Sequence, residues 1–99
     1  FLSHVERCKI LIHVIDTTEA DPLKNYQIIR QELENYGAEI ESKKEIIALN
    51  KVELLDEKKV EQIKDKFTSL DRRIFTISAA TGYNLDQLTN LCLEYLQDE

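Results

Sequence analysis

Asn50-Lys51-Val52-Glu53 places an amide, an ammonium and a carboxylate within four residues, directly after the apolar run Ile46-Ile47-Ala48-Leu49. That set suits one purine. A carboxylate accepts two parallel hydrogen bonds from the ring N–H and exocyclic amine of guanine, a donor pair that adenine lacks. Bonds to charged acceptors are the stronger ones, roughly 1.5–3 kcal/mol each. A lysine stem can lie along a base plane. An asparagine can bridge to the base or tie neighbouring loops. Ser78-Ala79-Ala80-Thr81-Gly82 follows the next apolar run. Its small side chains let backbone N–H groups approach a ligand closely, and the Ala79 amide could meet the guanine carbonyl oxygen. Either stretch alone also fits an ordinary polar loop at a strand end. Two such stretches on successive strand ends reinforce each other.

The elements that must position these residues follow from hydrophobic pattern. Residues 8–15 read "CKILIHVI", a near-continuous apolar run that suits a strand buried on both faces of a parallel sheet. Residues 45–49 and 74–77 are the second and third strands. Asp21-Pro22 starts a helix, with Asp as N-cap and Pro at the first helical position. Leu23, Tyr26, Ile29, Leu33 and Tyr36 follow at helical spacing, and Gly37 closes it. Asp56 caps a helix with Val60, Ile63, Phe67 and Leu70 on one face. Asn84 with Gln87 resembles a capping box before a last helix marked by Leu85, Leu88, Cys92 and Tyr95.

The order is βαβαβα, preceded by a short amphipathic piece, residues 1–7. Such alternation predicts a parallel α/β sheet with right-handed crossovers. Ligands of open sheets sit outside the carboxyl ends of the strands. Those ends are residues 16–18, 50–53 and 78–82, and all three are polar. The first strand is the most apolar, yet residues 10–15 contain no Pro or edge-protecting charge. Natural edge strands usually carry such protection. A further strand is therefore expected beside it in a longer protein, and the isolated piece is expected to dimerise or aggregate.

With 99 residues the chain is one domain or less. No apolar run reaches the ~20 residues of a membrane span, and the start does not read as a signal peptide. Cys8 and Cys92 lie far apart in apolar contexts, as reduced core residues of a cytosolic protein would. A net charge of -6 argues against a general nucleic-acid-binding surface, and no direct DNA binding is expected. Local patches still leave room for docking on a ribonucleoprotein.

Asn50-Lys51-Val52-Glu53 and Ser78-Ala79-Ala80 resemble the fourth and fifth motifs of P-loop GTPases, whose usual forms are N-K-x-D and S-A-K/A/V. Within that superfamily "FLSHVERCKILIHVID", "DPLKNYQIIRQELENYGAEI" and "SAATGYNLDQL" resemble the Obg (CgtA) family of ribosome-assembly GTPases. The resemblance covers essentially all 99 residues. It implies a three-layer P-loop GTPase-like parallel sheet, here a partial domain of three βα units. Residues 1–99 would be the C-terminal half of an Obg-type G domain, without the phosphate-binding half or any glycine-rich N-terminal domain.

Position by position, the resemblance implies that Asn50 and Lys51 contact the base. Glu53 takes the place of the specificity carboxylate, and Ser78, Ala79 and Ala80 form a backbone wall. Glu53 departs from the usual Asp and moves the carboxylate by roughly 1.5 Å on a fixed backbone. Asp56 is a second carboxylate nearby. The implied ligands are GTP and GDP, with Mg²⁺ bound by the other half of the domain. The implied partner is the large ribosomal subunit or an assembly intermediate, and the implied location is the cytoplasm.

Neither G-x-x-x-x-G-K-S/T nor D-x-x-G occurs. The chain thus lacks the parts that perform phosphoryl transfer, and GTP hydrolysis would belong to the full-length protein. The alternatives are another translation-linked GTPase family or a non-enzymatic, flavodoxin-like regulatory or protein-binding module. His13 reads as a hydrogen-bonded core residue, and His4, Glu6 and Arg7 as a solvated helix face. Asp16 reads as a turn cap or loop tie rather than a metal ligand. Residues 39–45 read as a charged connecting loop, and Tyr26, Tyr36 and Tyr95 as residues packing on the sheet.

Overall fold

The computed structural model describes residues 9–37 and 39–97. The amphipathic stretch 1–7, including His4, Glu6 and Arg7, and the expected core residue Cys8 lie outside the described residues. Three strands, β1 (Ile10–Asp16), β2 (Lys44–Asn50) and β3 (Arg73–Thr76), alternate with three helices, α1 (Pro22–Tyr36), α2 (Glu57–Phe67) and α3 (Leu85–Gln97). The strands are parallel and lie in the order β1-β2-β3.

Side chains alternate across the strands, so each strand feeds both faces of the sheet. On one face Ile15, Ile47 and Leu49 pack with Tyr26 of α1 and with Ile63 and Phe67 of α2. On the other, Ile46, Ala48 and Ile77 pack with Leu88 and Leu91 of α3. Helices on both faces make a three-layer α/β arrangement. β2 sits in its middle, and residues 45–49 are all buried. That burial is why its sequence is an unbroken apolar run rather than an alternating one.

Local chemistry starts the helices. The Asp21 carboxylate accepts from the Lys24 amide at 3.2 Å, and Pro22 occupies the first turn. Gly37, at φ 97°, ends α1 by donating to the Glu34 carbonyl. The Asp56 carboxylate accepts from the Lys59 amide at 2.7 Å, so its role is to cap α2.

Four sequence expectations change. β1, expected to be buried on both faces, buries only Ile15 fully, because among the described residues no strand pairs with its outer side. Asn84 does not form a capping box. Its backbone is left-handed, at φ 62°, and its Nδ2 donates to the Thr76 carbonyl, tying the loop to the end of β3. On α1, Ile29 and Tyr36 are exposed, while Arg30 turns inward. The reason is a buried charge opposite: Glu45 opens the apolar part of β2 rather than closing a loop, and Arg30 pairs with it. The loop expected over residues 39–45 is shortened to residues 39–43, built around a 3₁₀ turn, Ile40–Ser42, because Lys44 and Glu45 belong to β2.

The Glu45 carboxylate is wholly buried. It accepts from the Tyr26 hydroxyl, from Arg30 at 3.2 Å and from Arg72 Nε at 3.2 Å. His13 Nδ1 stands 3.8 Å away, and its ring stacks at a tilt on Tyr26. His13 is thus packed against this cluster, partly buried on the edge strand rather than in the core. This cluster joins β1, α1, β2 and the entry to β3, well below the carboxyl ends of the strands.

Candidate functional site

The carboxyl ends of the three strands form one polar rim. In register, Asp16 of β1 lies beside Asn50 of β2, and Ile77 continues the ladder by donating to the Leu49 carbonyl. Asn50 is the last residue of β2, and its side chain reaches across to the next strand end. Its Oδ1 accepts from the Ala79 amide at 2.9 Å. Of the two roles open to Asn50, the loop tie is therefore present, with the Nδ2 donors left for a ligand. The Ala79 amide, expected to face a carbonyl oxygen, already has an acceptor in Asn50. The Ala80 amide, one residue on, makes no hydrogen bond among the described residues.

Lys51 has a left-handed backbone at φ 69° and starts a 3₁₀ turn, Val52–Leu54. Few non-glycine residues hold that conformation, so it needs support from its surroundings. The Lys51 ammonium donates to Asp16 Oδ2 at 2.9 Å. That bond, and the Asp16 charge, raise the Lys51 pKa. Asp16 Oδ1 accepts from the amide and hydroxyl of Thr18, at 2.9 and 2.6 Å. The Thr18 hydroxyl, then Lys51, then the Thr18 amide hold the Asp16 carboxyl down at about 2. Both its oxygens are engaged, so Asp16 caps the turn after β1 and ties it to the loop after β2.

Ser78 is buried and organises its own loop. Its Oγ accepts from the Thr81 amide, its carbonyl from Gly82 and its amide donates to the Tyr83 carbonyl. Ala79 and Ala80 are exposed on the rim as a result. Glu53 is exposed within the 3₁₀ turn. It lines a groove of about 540 Å³ with Ser78, Tyr83 and Glu57 at the start of α2. Asn50, Lys51, Ala79 and Ala80 do not line that groove. The structure thus brings Asn50, Lys51 and Ala79 together, and sets Glu53 on the α2 side of the same loop.

No family model matches the chain. Curated relatives do. It is 43% identical over 98 residues to the GTPase Obg of Novosphingobium aromaticivorans, covering 97% of this chain and 28% of that protein. It is 43% identical over 97 residues to the GTPase Obg of Gloeothece citriformis, covering 97% and 29%. The GTPase Obg of Synechocystis is 40% identical over 99 residues, 99% of this chain and 27% of that protein.

This segment belongs to the Obg family.

The chain spans a little over a quarter of the length of the relatives it matches. In this Obg-family segment one contributor to the rim has no motif to announce it. Thr17 donates to the Asn50 carbonyl through both its amide, at 3.2 Å, and its hydroxyl, at 2.7 Å. It is buried while its neighbours on both sides are not. A buried threonine in a polar strand end would be the sequence signal, but only the pairing of β1 with β2 shows what it holds. The Glu45 cluster was equally hidden, although a lone acid opening an apolar strand was a cue. Among the described residues no helix is long and apolar enough to cross a membrane.

Proposed function

We propose that this chain is the guanine-recognising, C-terminal half of an Obg-type G domain, in a protein that binds GTP and hydrolyses it to GDP and phosphate. One observation carries the base-recognition part. Asn50, at the end of β2, bonds the Ala79 amide at the end of β3, so the two motif loops form a single rim at the carboxyl edge of the sheet. Open α/β sheets bind ligands at that edge. Asn50 Nδ2, the Lys51 stem and the Ala80 amide then face one base. Glu53 supplies the carboxylate for the guanine N–H and amine once its side chain swings from the groove beside α2.

The relatives named GTPase Obg support the activity of the full-length protein. Hydrolysis is assigned outside this chain, because the sequence contains neither the phosphate-cradling nor the γ-phosphate motif. Mg²⁺ is assigned there too. Among the described residues no three His, Cys, Asp or Glu side chains group as a metal site. The large ribosomal subunit, or an assembly intermediate of it, is proposed as the partner, and the cytoplasm as the location. Both rest on the family resemblance alone.

The test is competition of GDP, XDP and ADP against a fluorescent GDP on the full-length protein at fixed salt and Mg²⁺. A site built to bond a donor pair strongly rejects analogues without it. The expected outcome is a preference for GDP of about a hundredfold or more, reduced by Glu53→Ala. Equal binding of all three nucleotides, not corrected by Glu53→Asp, would sink the assignment.

A further inference from the structure

We propose that Asp16 is a positioning residue: its ion pair with Lys51 sets the base-reading loop in place before a nucleotide arrives. This rests on the base-recognition function proposed above and names a residue outside both motifs that the function depends on.

The geometry runs from the end of β1. Asp16 and Thr17 between them hold both members of the Asn50-Lys51 pair. Thr17 grips the Asn50 carbonyl with two donors, and Asp16 Oδ2 takes the Lys51 ammonium at 2.9 Å. Asp16 cannot swing freely to do this, since its other oxygen is fixed by two bonds from Thr18. Its charge is secure across the working pH range, because the same bonds depress its pKa. Lys51 in turn stands in a left-handed conformation that a lysine adopts only when held. Anchoring both its backbone and its ammonium stretches the methylene stem across the rim. A stem so fixed offers a flat apolar surface to a base. The rotamer entropy of a long side chain is then lost on folding rather than on binding.

The pair is partly open to water, with side chains 47% and 31% exposed for Lys51 and Asp16. Ions therefore screen it, and its effect must shrink as salt rises. A role for Asp16 that ran only through its hydrogen bonds to Thr18, without the Lys51 charge, would show no such dependence of GDP affinity.

The experiment uses the full-length protein and GDP as the probe. Asp16→Asn keeps an oxygen for Thr18 and removes the charge. Lys51→Met keeps the stem and removes the ammonium. The expected result is a loss of GDP affinity of about three- to fivefold for Asp16→Asn at low salt, fading at high salt. The guanine-over-xanthine preference stays as in the parent, because Asp16 does not touch the base edge. In the Lys51→Met background Asp16→Asn has no further effect. Thermal melting of each variant guards against loss of fold, and Lys51→Met alone should reproduce the salt-dependent loss. The proposal is overturned if Asp16→Asn binds GDP like the parent at low salt, or if the two losses add. A parent that binds no GDP overturns base recognition itself, and with it the role of Asp16.

Discussion

Glu45 is held from four sides. It is charged, wholly buried, and faced by two arginines, a tyrosine hydroxyl and an imidazole. Removing one partner of a buried pair strands the others, at a cost of about 3–5 kcal/mol. Glu45→Gln leaves Arg30 and Arg72 facing a neutral amide, so urea unfolding of the full-length protein should show a loss in that range. An unchanged midpoint would contradict the cluster's role. The pH dependence has a definite sign. Burial alone would raise the Glu45 carboxyl, but His13, Tyr26 and the Arg30 charge outweigh it and hold it below its ordinary 4.5. Its folded pKa lies below its unfolded one, so its contribution is complete above pH 4.5 and is lost as pH falls through the folded value. The stability of the parent should fall on acidification in that window. Glu45→Gln should lack that component of the slope, measured by urea titration at stepped pH.

At the scale of elements, the turn between β3 and α3 carries a testable strain. Gly82 stands at φ 84°, and an added Cβ would meet nothing within 4 Å. Gly82→Ala should therefore cost only the left-handed backbone penalty, about 1–2 kcal/mol, read from urea unfolding of the full-length protein. A larger loss would require a steric clash that the geometry does not contain. The contrast with Asn84, left-handed two residues later, explains how much of the fold the sequence reveals. The strands, the helices and the caps at Asp21, Asp56 and Gly37 were legible because their chemistry is local: an apolar run, or a carboxylate three residues before the amide it caps. Asn84 carries the same local signature, but the Thr76 carbonyl, eight residues back, takes its side chain. Tertiary partners decide such cases. Likewise the motif residues of the rim were legible as types. Lys51 finding Asp16 thirty-five residues away, and Glu45 gathering Arg30 and Arg72, were not. Ile29 and Tyr36 fit the helical period but face outward, because Arg30 answers a buried charge that periodicity does not register.

At the scale of the whole molecule the sheet ends on its least protected strand. β1 pairs with β2 on one side, and among the described residues no strand pairs with its other side. Ile12 and Val14 point to the face that α3 covers, alongside Ile46 and Ala48, yet α3 does not extend over them. They are 45% and 56% exposed. Ile28 and Ile29 of α1 add further exposed apolar surface on the other face. An open row of backbone donors and acceptors flanked by apolar side chains is a template for another strand. The isolated 99-residue chain should therefore self-associate at micromolar concentration, seen by light scattering on a sizing column. Val14→Lys places a charge on the open edge and should shift it toward monomer. In the full-length protein the same substitution should act in the opposite direction if residues 1–99 are half of a G domain. There a neighbouring strand and helix would cover Val14. A lysine would be buried without a partner, and stability should fall by about 2 kcal/mol or more. A monodisperse isolated chain that unfolds cooperatively would deny the open edge. A full-length protein indifferent to Val14→Lys would deny that the rest of the domain packs against β1.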